Sequence, residues 1–194
     1  MSGTWKTGWA VADTVTAAEF RKSMGSVDDQ SLAAPATSID VTSIPAGYAH
    51  LRLIAYLRGD GVGANDNAII RFNADSGANY DYEIGWYAGT SSPVPAEGIA
   101  TTTPVLARIP NASSPANVFG MVTLDIAFYA GTSNHKIAVA SFANKLAAST
   151  GKIETGQATV AWRSFAAINE ITLIPSGGSN FVAGSRVTTY VEGS

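Results

Sequence analysis

From residue 37 onward the chain alternates apolar and polar positions with a period of two. The run HLRLIAYLR at 50–58 sets Leu51, Leu53, Ala55 and Leu57 against Arg52, Ile54, Tyr56 and Arg58. Successive side chains of a strand point to opposite faces, so this pattern predicts a strand with one buried face. NYDYEIGWY at 79–87 puts Tyr80, Tyr82, Ile84 and Trp86 on one face and Asp81, Glu83 and Tyr87 on the other. MVTLDIAFYA at 121–130 is the clearest run and predicts Val122, Leu124, Ile126 and Phe128 inward. With TSIDVTSI (37–44), AIIRFN (68–73), HKIAVASFAN (135–144), QATVAWRSF (157–165), NEITLIPS (169–176) and SRVTTYV (185–191), the pattern yields about nine strands. Clusters of turn residues separate them: RGDGVGAND, AGTSSPVPAEG, IPNASSPAN, YAGTSN and PSGGSN. Many short strands punctuated in this way predict an antiparallel β-sandwich or barrel. No strand run is followed by an amphipathic helical run, which argues against a parallel α/β sheet.

Residues 1–35 read differently. Thr16 and Glu19 have capping-box spacing, Phe20 and Met24 lie one helical turn apart, and Gly25 is a stop signal. This predicts a short helix at about 16–24 with too little apolar surface to fold alone. Trp5 and Trp9 are large apolar groups on an otherwise polar stretch, costly to leave in water. The division expected is an anchoring arm over 1–35, docking through Trp5, Trp9, Phe20 and Met24, and a sandwich over 36–194.

Composition narrows the classes. Charged residues make up 14% of the chain, against about 25% in an average domain. The net charge is −3 with no basic run, so no footprint for nucleic acid is expected. There is no cysteine, hence no disulfide and no thiolate metal site. The N-terminal stretch lacks the features of a signal peptide, and no apolar run approaches the ~20 residues of a membrane-spanning helix. Assembly in a cytoplasm and no membrane insertion are the expectations.

Candidate chemistry concentrates in two loops. IIRFN-ADSGA-NYDYE is a hairpin pattern in which Asp75 and Ser76 bond nearby backbone and Gly77 takes the positive φ. The same residues also form a possible ligand-facing group: Asn73, Asp75 and Asn79, with Asp60 and Asp66 of the 59–67 loop, and Trp86. A loop calcium built from Asp60, Asp66 and Asp75 is the metal alternative, although Val62 and Ala64 interrupt the alternate oxygens such a loop needs. No metal or cofactor is expected. Reaction motifs are not found: there is no G-x-S-x-G elbow and no P-loop. Asp81 and Glu83 share a strand face about 7 Å apart, the spacing of a solvated face as well as of an acid pair. The chain is expected not to be an enzyme. Strand aromatics fill a core or subunit interface, or else offer a platform for a sugar.

Three stretches resemble one family taken together: SIPAGYAHLRLIAYLRGD (43–60), IRFNADSGANYDY (70–82) and INEITLIPSGGSNFVAGSRVTTYV (168–191). They are similar to virion structural proteins of tailed bacteriophages over residues 38–191. The close TTYVEGS departs from the family's usual Leu-Tyr-Gly ending. The fold expected over 36–194 is an antiparallel β-sandwich of jelly-roll type, and the resemblance brings no catalytic residues to transfer. It also implies a place on the virion surface, phage capsid or tail proteins as partners, and a homo-oligomer, commonly a trimer. For so short a chain it points to a capsid decoration or head-spike protein. The alternative is a tail-tip or tail-fibre receptor-binding module that recognises host surface glycan.

Overall fold

The computed structural model describes residues 26–145, 152–177 and 180–192. The expected helix at 16–24 and the anchoring residues Trp5, Trp9, Phe20 and Met24 lie outside the described residues. Within them the chain is all-β. Twelve strands run in order: β1 (Ser26–Ser31), β2 (Ile39–Val41), β3 (His50–Leu57), β4 (Asn65–Phe72), β5 (Tyr80–Ala88), β6 (Val94–Thr101), β7 (Val105–Pro110), β8 (Gly120–Ala127), β9 (Lys136–Lys145), β10 (Ile153–Trp162), β11 (Ile171–Pro175) and β12 (Arg186–Glu192).

These form two sheets, an eight-stranded β1-β12-β3-β8-β9-β10-β5-β6 and a four-stranded β2-β11-β4-β7, with antiparallel pairing throughout. The pairs nest. Innermost is β5/β6 in the large sheet, then β4/β7 in the small one, then β3 against the β8-β9-β10 meander, then β2/β11. A long antiparallel ribbon rolled so that successive pairs alternate between sheets is a jelly roll. The meander widens one strand position into three, and β12 and β1 extend the same sheet beyond β3.

The alternation read from the sequence is the core. Leu51, Leu53, Ala55 and Leu57 are buried, as are Val122, Leu124, Ile126, Ala138, Ala140 and Phe142. They face Ile70, Phe72, Leu106, Ile109, Ile171 and Leu173 from the small sheet in one continuous cluster. Phe72, Tyr80 and Trp162 form an aromatic knot, with ring centroids 5.6–6.4 Å apart.

Several elements depart from expectation. Phe128 is not inward: β8 ends at Ala127, Phe128 takes φ 52°, and its ring is 68% exposed. Its amide donates to the Ala49 carbonyl, which turns the chain out of the sheet. Strands β1, β6 and β7 carried no alternating signal. β1 forms inside the stretch assigned to the arm, where SVDDQS pairs with β12. β6 begins within the expected turn cluster AGTSSPVPAEG. β10 runs 153–162 rather than 157–165; the Arg163 amide makes one more bond in the same register, to the Asn79 carbonyl, where β5 has already ended.

Candidate functional site

The sequence-derived candidates fall at opposite ends of β4, about 25 Å apart at the rise of a strand. Asp60 and Asp66 stand at the end where β4 begins; Asn73, Asp75 and Asn79 stand where it stops. At the first end Asp60 accepts from the Asn180 amide at 2.7 Å and from its side chain at 2.9 Å, while its own amide donates back to the Asn180 carbonyl. These bonds, the side-chain one first, hold the Asp60 carboxyl below its usual pKa. Asp66 accepts from the Ser176 hydroxyl at 2.7 Å and the Gly177 amide at 3.2 Å. Asp60 therefore fastens the β3–β4 loop, and Asp66 the start of β4, to the β11–β12 loop.

At the second end Asp75 is the centre of a clasp. It accepts from the Trp162 indole at 2.7 Å, the Gly77 amide at 2.8 Å and the Asn79 side chain at 3.0 Å. Partial burial, the largest influence, pushes its pKa up; the Trp162, Gly77 and Asn79 bonds and the charge of Arg71 outweigh it and leave the carboxyl low. Asn73 clamps the neighbouring loop, donating to the Ala167 carbonyl at 2.7 Å and accepting from the Asn169 and Glu170 amides. The positive φ of this hairpin belongs to Asn73 (52°) and Ala74 (55°), not to Gly77 as expected. Gly77 is needed for space: a Cβ there would lie 2.8 Å from the Asn79 amide nitrogen and 3.1 Å from Asp75. Among the described residues no group of three His, Cys, Asp or Glu side chains is placed to hold a metal ion.

Trp86 points inward and joins a polar cluster that sequence reasoning missed. The Arg108 guanidinium of β7 lies 4.4 Å from the Trp86 ring centroid. It pairs with Glu154 of β10 at 2.9 Å, linking the two sheets through the interior. Asn144, opposite Glu154 in the ladder, donates to the Glu154 carboxylate and to the Arg108 carbonyl, both at 3.1 Å. The only early signal was an interruption: Glu154 and Asn144 sit where the alternation calls for apolar groups. Arg58 is a second organiser, donating to the carbonyls of Pro115, Val118, Ser114 and Ala112 and so holding the β7–β8 loop.

Among the described residues, no strand packs on the outward face of the large sheet. Ladder rows run across it: Tyr56, Met121, Ala143, Thr155 and Tyr87 in one, Arg52, Asp125, Val139, Thr159 and Glu83 in another. Tyr56, Met121, Val139 and Tyr87 are each about half exposed, and the charges are few. Over β10 and β5 this face sinks into a trough of about 550 Å³.

Compared with known proteins, the chain matches no family model and has no significant match among curated proteins or solved structures.

Proposed function

We propose that this chain is a non-enzymatic structural subunit of a bacteriophage particle, displayed on the virion surface as a capsid decoration or head-spike protein. Trp5, Trp9, Phe20 and Met24, in the stretch before β1, hold it to a neighbouring capsid or tail protein, and the sandwich, β1 included, projects outward. The reading rests first on the resemblance carried by 43–60, 70–82 and 168–191. The jelly roll is compatible with it, since this architecture recurs in viral capsid domains and lectins, which is an argument by analogy.

One observation supports the non-enzymatic part of the reading: the carboxylates Asp60, Asp66 and Asp75, which could have served chemistry, are bonded to the chain's own donors. They tie loops in place. That is the use expected of a rigid display module. Among the described residues β1, β6, β2 and β7 are edge strands, which favours self-association, and a trimer would cover edges that otherwise invite uncontrolled pairing.

The test is immunogold labelling of intact particles, with binding of the purified protein to empty capsids. Gold on heads, saturable capsid binding and its loss on deleting residues 1–25, which leaves β1 in place, are the expected results. Gold confined to tails, with the isolated protein coating host cells and blocking infection, would move the chain to the receptor-binding alternative. Unlabelled particles would end the virion reading.

A further inference from the structure

We propose that the trough on the outward face of the large sheet is a binding site for a neutral glycan chain, seated over Gly85 between Tyr87 and Gln157. The site does not depend on where in a particle the protein is assembled.

The first argument is the glycine. Gly85 lies in the middle of β5, opposite Gln157 of β10. A glycine inside a strand weakens it, and it is retained where backbone, bulge or ligand must come close. No packing requirement explains Gly85: a Cβ built there meets nothing within 4 Å. No conformational requirement explains it either, since the positive-φ glycines are Gly63, Gly89 and Gly184. The neighbouring Gly156 makes the contrast. It faces inward, where a Cβ would strike the Phe142 ring and the Gly85 carbonyl. Packing accounts for Gly156 and leaves Gly85 as the residue that keeps the trough floor open.

The second argument is the chemistry of the walls. The Tyr87 ring is half exposed and stacks on no other ring among the described residues. The side chains of Gln157 and Glu83 make no hydrogen bond or ion pair with any described residue. Ser141 and Thr155 add hydroxyls, and Pro93 closes the rim. An aromatic face beside an amide, a carboxylate and hydroxyls is matched by a pyranose, which offers a C–H face and a ring of hydroxyls that donate and accept. A trough of about 550 Å³ lies within the range of small-molecule sites and leaves room for more than one sugar. The charge sets the class. No Lys or Arg lines the trough, and Glu83 stands opposite Glu97 in the β5/β6 ladder. Two carboxylates at one rim repel an acidic sugar, so the glycan is neutral.

The full chain, labelled as purified, is applied to an array of oligosaccharides built from neutral hexoses and N-acetylhexosamines, with uronic-acid and sialylated chains on the same surface. Binding to at least one neutral class is expected, with Kd at or below about 1 mM for the free oligosaccharide by calorimetry. Tyr87→Ala and Gln157→Ala should each weaken it by about tenfold or more. Gly85→Val should abolish it, because the side chain starts from a position on the trough floor where an added Cβ meets no atom within 4 Å. Tyr87→Ala and Gln157→Ala decide the matter if Gly85→Val does not fold. Three results overturn the proposal: no neutral oligosaccharide bound, or binding of acidic chains only; binding that survives the trough substitutions; and a change of sedimentation coefficient in the trough variants, which would show that a second copy of the chain occupies it.

Discussion

Glu154→Leu tests whether the inter-sheet ion pair is held as a buried charge pair or merely tolerated at a porous edge. Glu154 has a side chain 1% exposed, and Arg108 is 18% exposed. At 2.9 Å and an effective dielectric of about 20, the attraction is of order 6 kcal/mol, most of it offset by desolvating both charges. Removing one partner leaves the other buried alone, which typically costs 3–5 kcal/mol. Arg108 can lean further onto Trp86 and reach toward solvent, so the lower end, about 3 kcal/mol, is expected for Glu154→Leu. Arg108→Met/Glu154→Leu removes both charges and should fall within about 1 kcal/mol of the parent. Urea unfolding at pH 7 with an unchanged denaturant slope measures both, and a double-mutant cycle extracts the coupling. Salt supplies an internal control. Raising ionic strength should leave this coupling nearly intact, while the Arg52–Asp125 pair, about half exposed on both sides, should contribute at most about 1 kcal/mol and fade. A cost below about 1 kcal/mol for Glu154→Leu, or a double variant less stable than either single one, would refute the reasoning.

Three further outcomes are expected. The Asp75 carboxyl is held low in the fold, so its contribution is present above the unfolded value of about 4 and is lost as pH falls through the folded value; Asp75→Asn should lower the melting temperature at pH 7, with the gap to the parent closing in acid, and a pH-independent gap counts against the clasp. Burial pushes Tyr80 up to about 12, so its contribution is full below about pH 10 and declines as pH rises above that; Tyr80→Phe strands the Phe72 amide, which donates to the Tyr80 hydroxyl at 3.0 Å, and should cost about 1–3 kcal/mol by urea unfolding. Arg58→Ala should cost about 1.5–3 kcal/mol and accelerate hydrogen exchange at the amides of 112–114, and Arg58→Lys should rescue little, because a point cation cannot reach carbonyls spread over the β7–β8 loop.

The strands that could be read from sequence are those with one wet face. β3 and β8 alternate because each lies mid-sheet, with solvent on one side and the small sheet on the other. β7 was hidden for the opposite reason. Val105, Leu106 and Ala107 are all buried, so VLARIP has no period to detect. β6 was hidden because it is an edge strand with Pro95 and Gly98, residues that punctuate loops elsewhere. β1 has almost no apolar content, and the unpaired side of β12 is what makes SVDDQS a strand.

The site residues illustrate a different limit. Asp60, Asn73 and Asp75 were recognisable as turn formers, but their functions in the fold depend on partners 120, 94 and 87 positions away: Asn180, Ala167 and Trp162. No local pattern encodes such distant closure. Gly85 carried the reverse signal. It stood in plain view in EIGWY, at an outward position where a polar or β-branched side chain costs nothing, yet it acquires meaning only once the register sets it beside Gln157 and Tyr87. A strand glycine explained by neither collision nor dihedral angle fits a place where something outside the chain comes close to the backbone. Asp60, Asp66 and Asp75 are already satisfied from within, so the trough, whose Tyr87, Gln157 and Glu83 side chains are not, is the place on the described molecule where a partner would gain most by arriving.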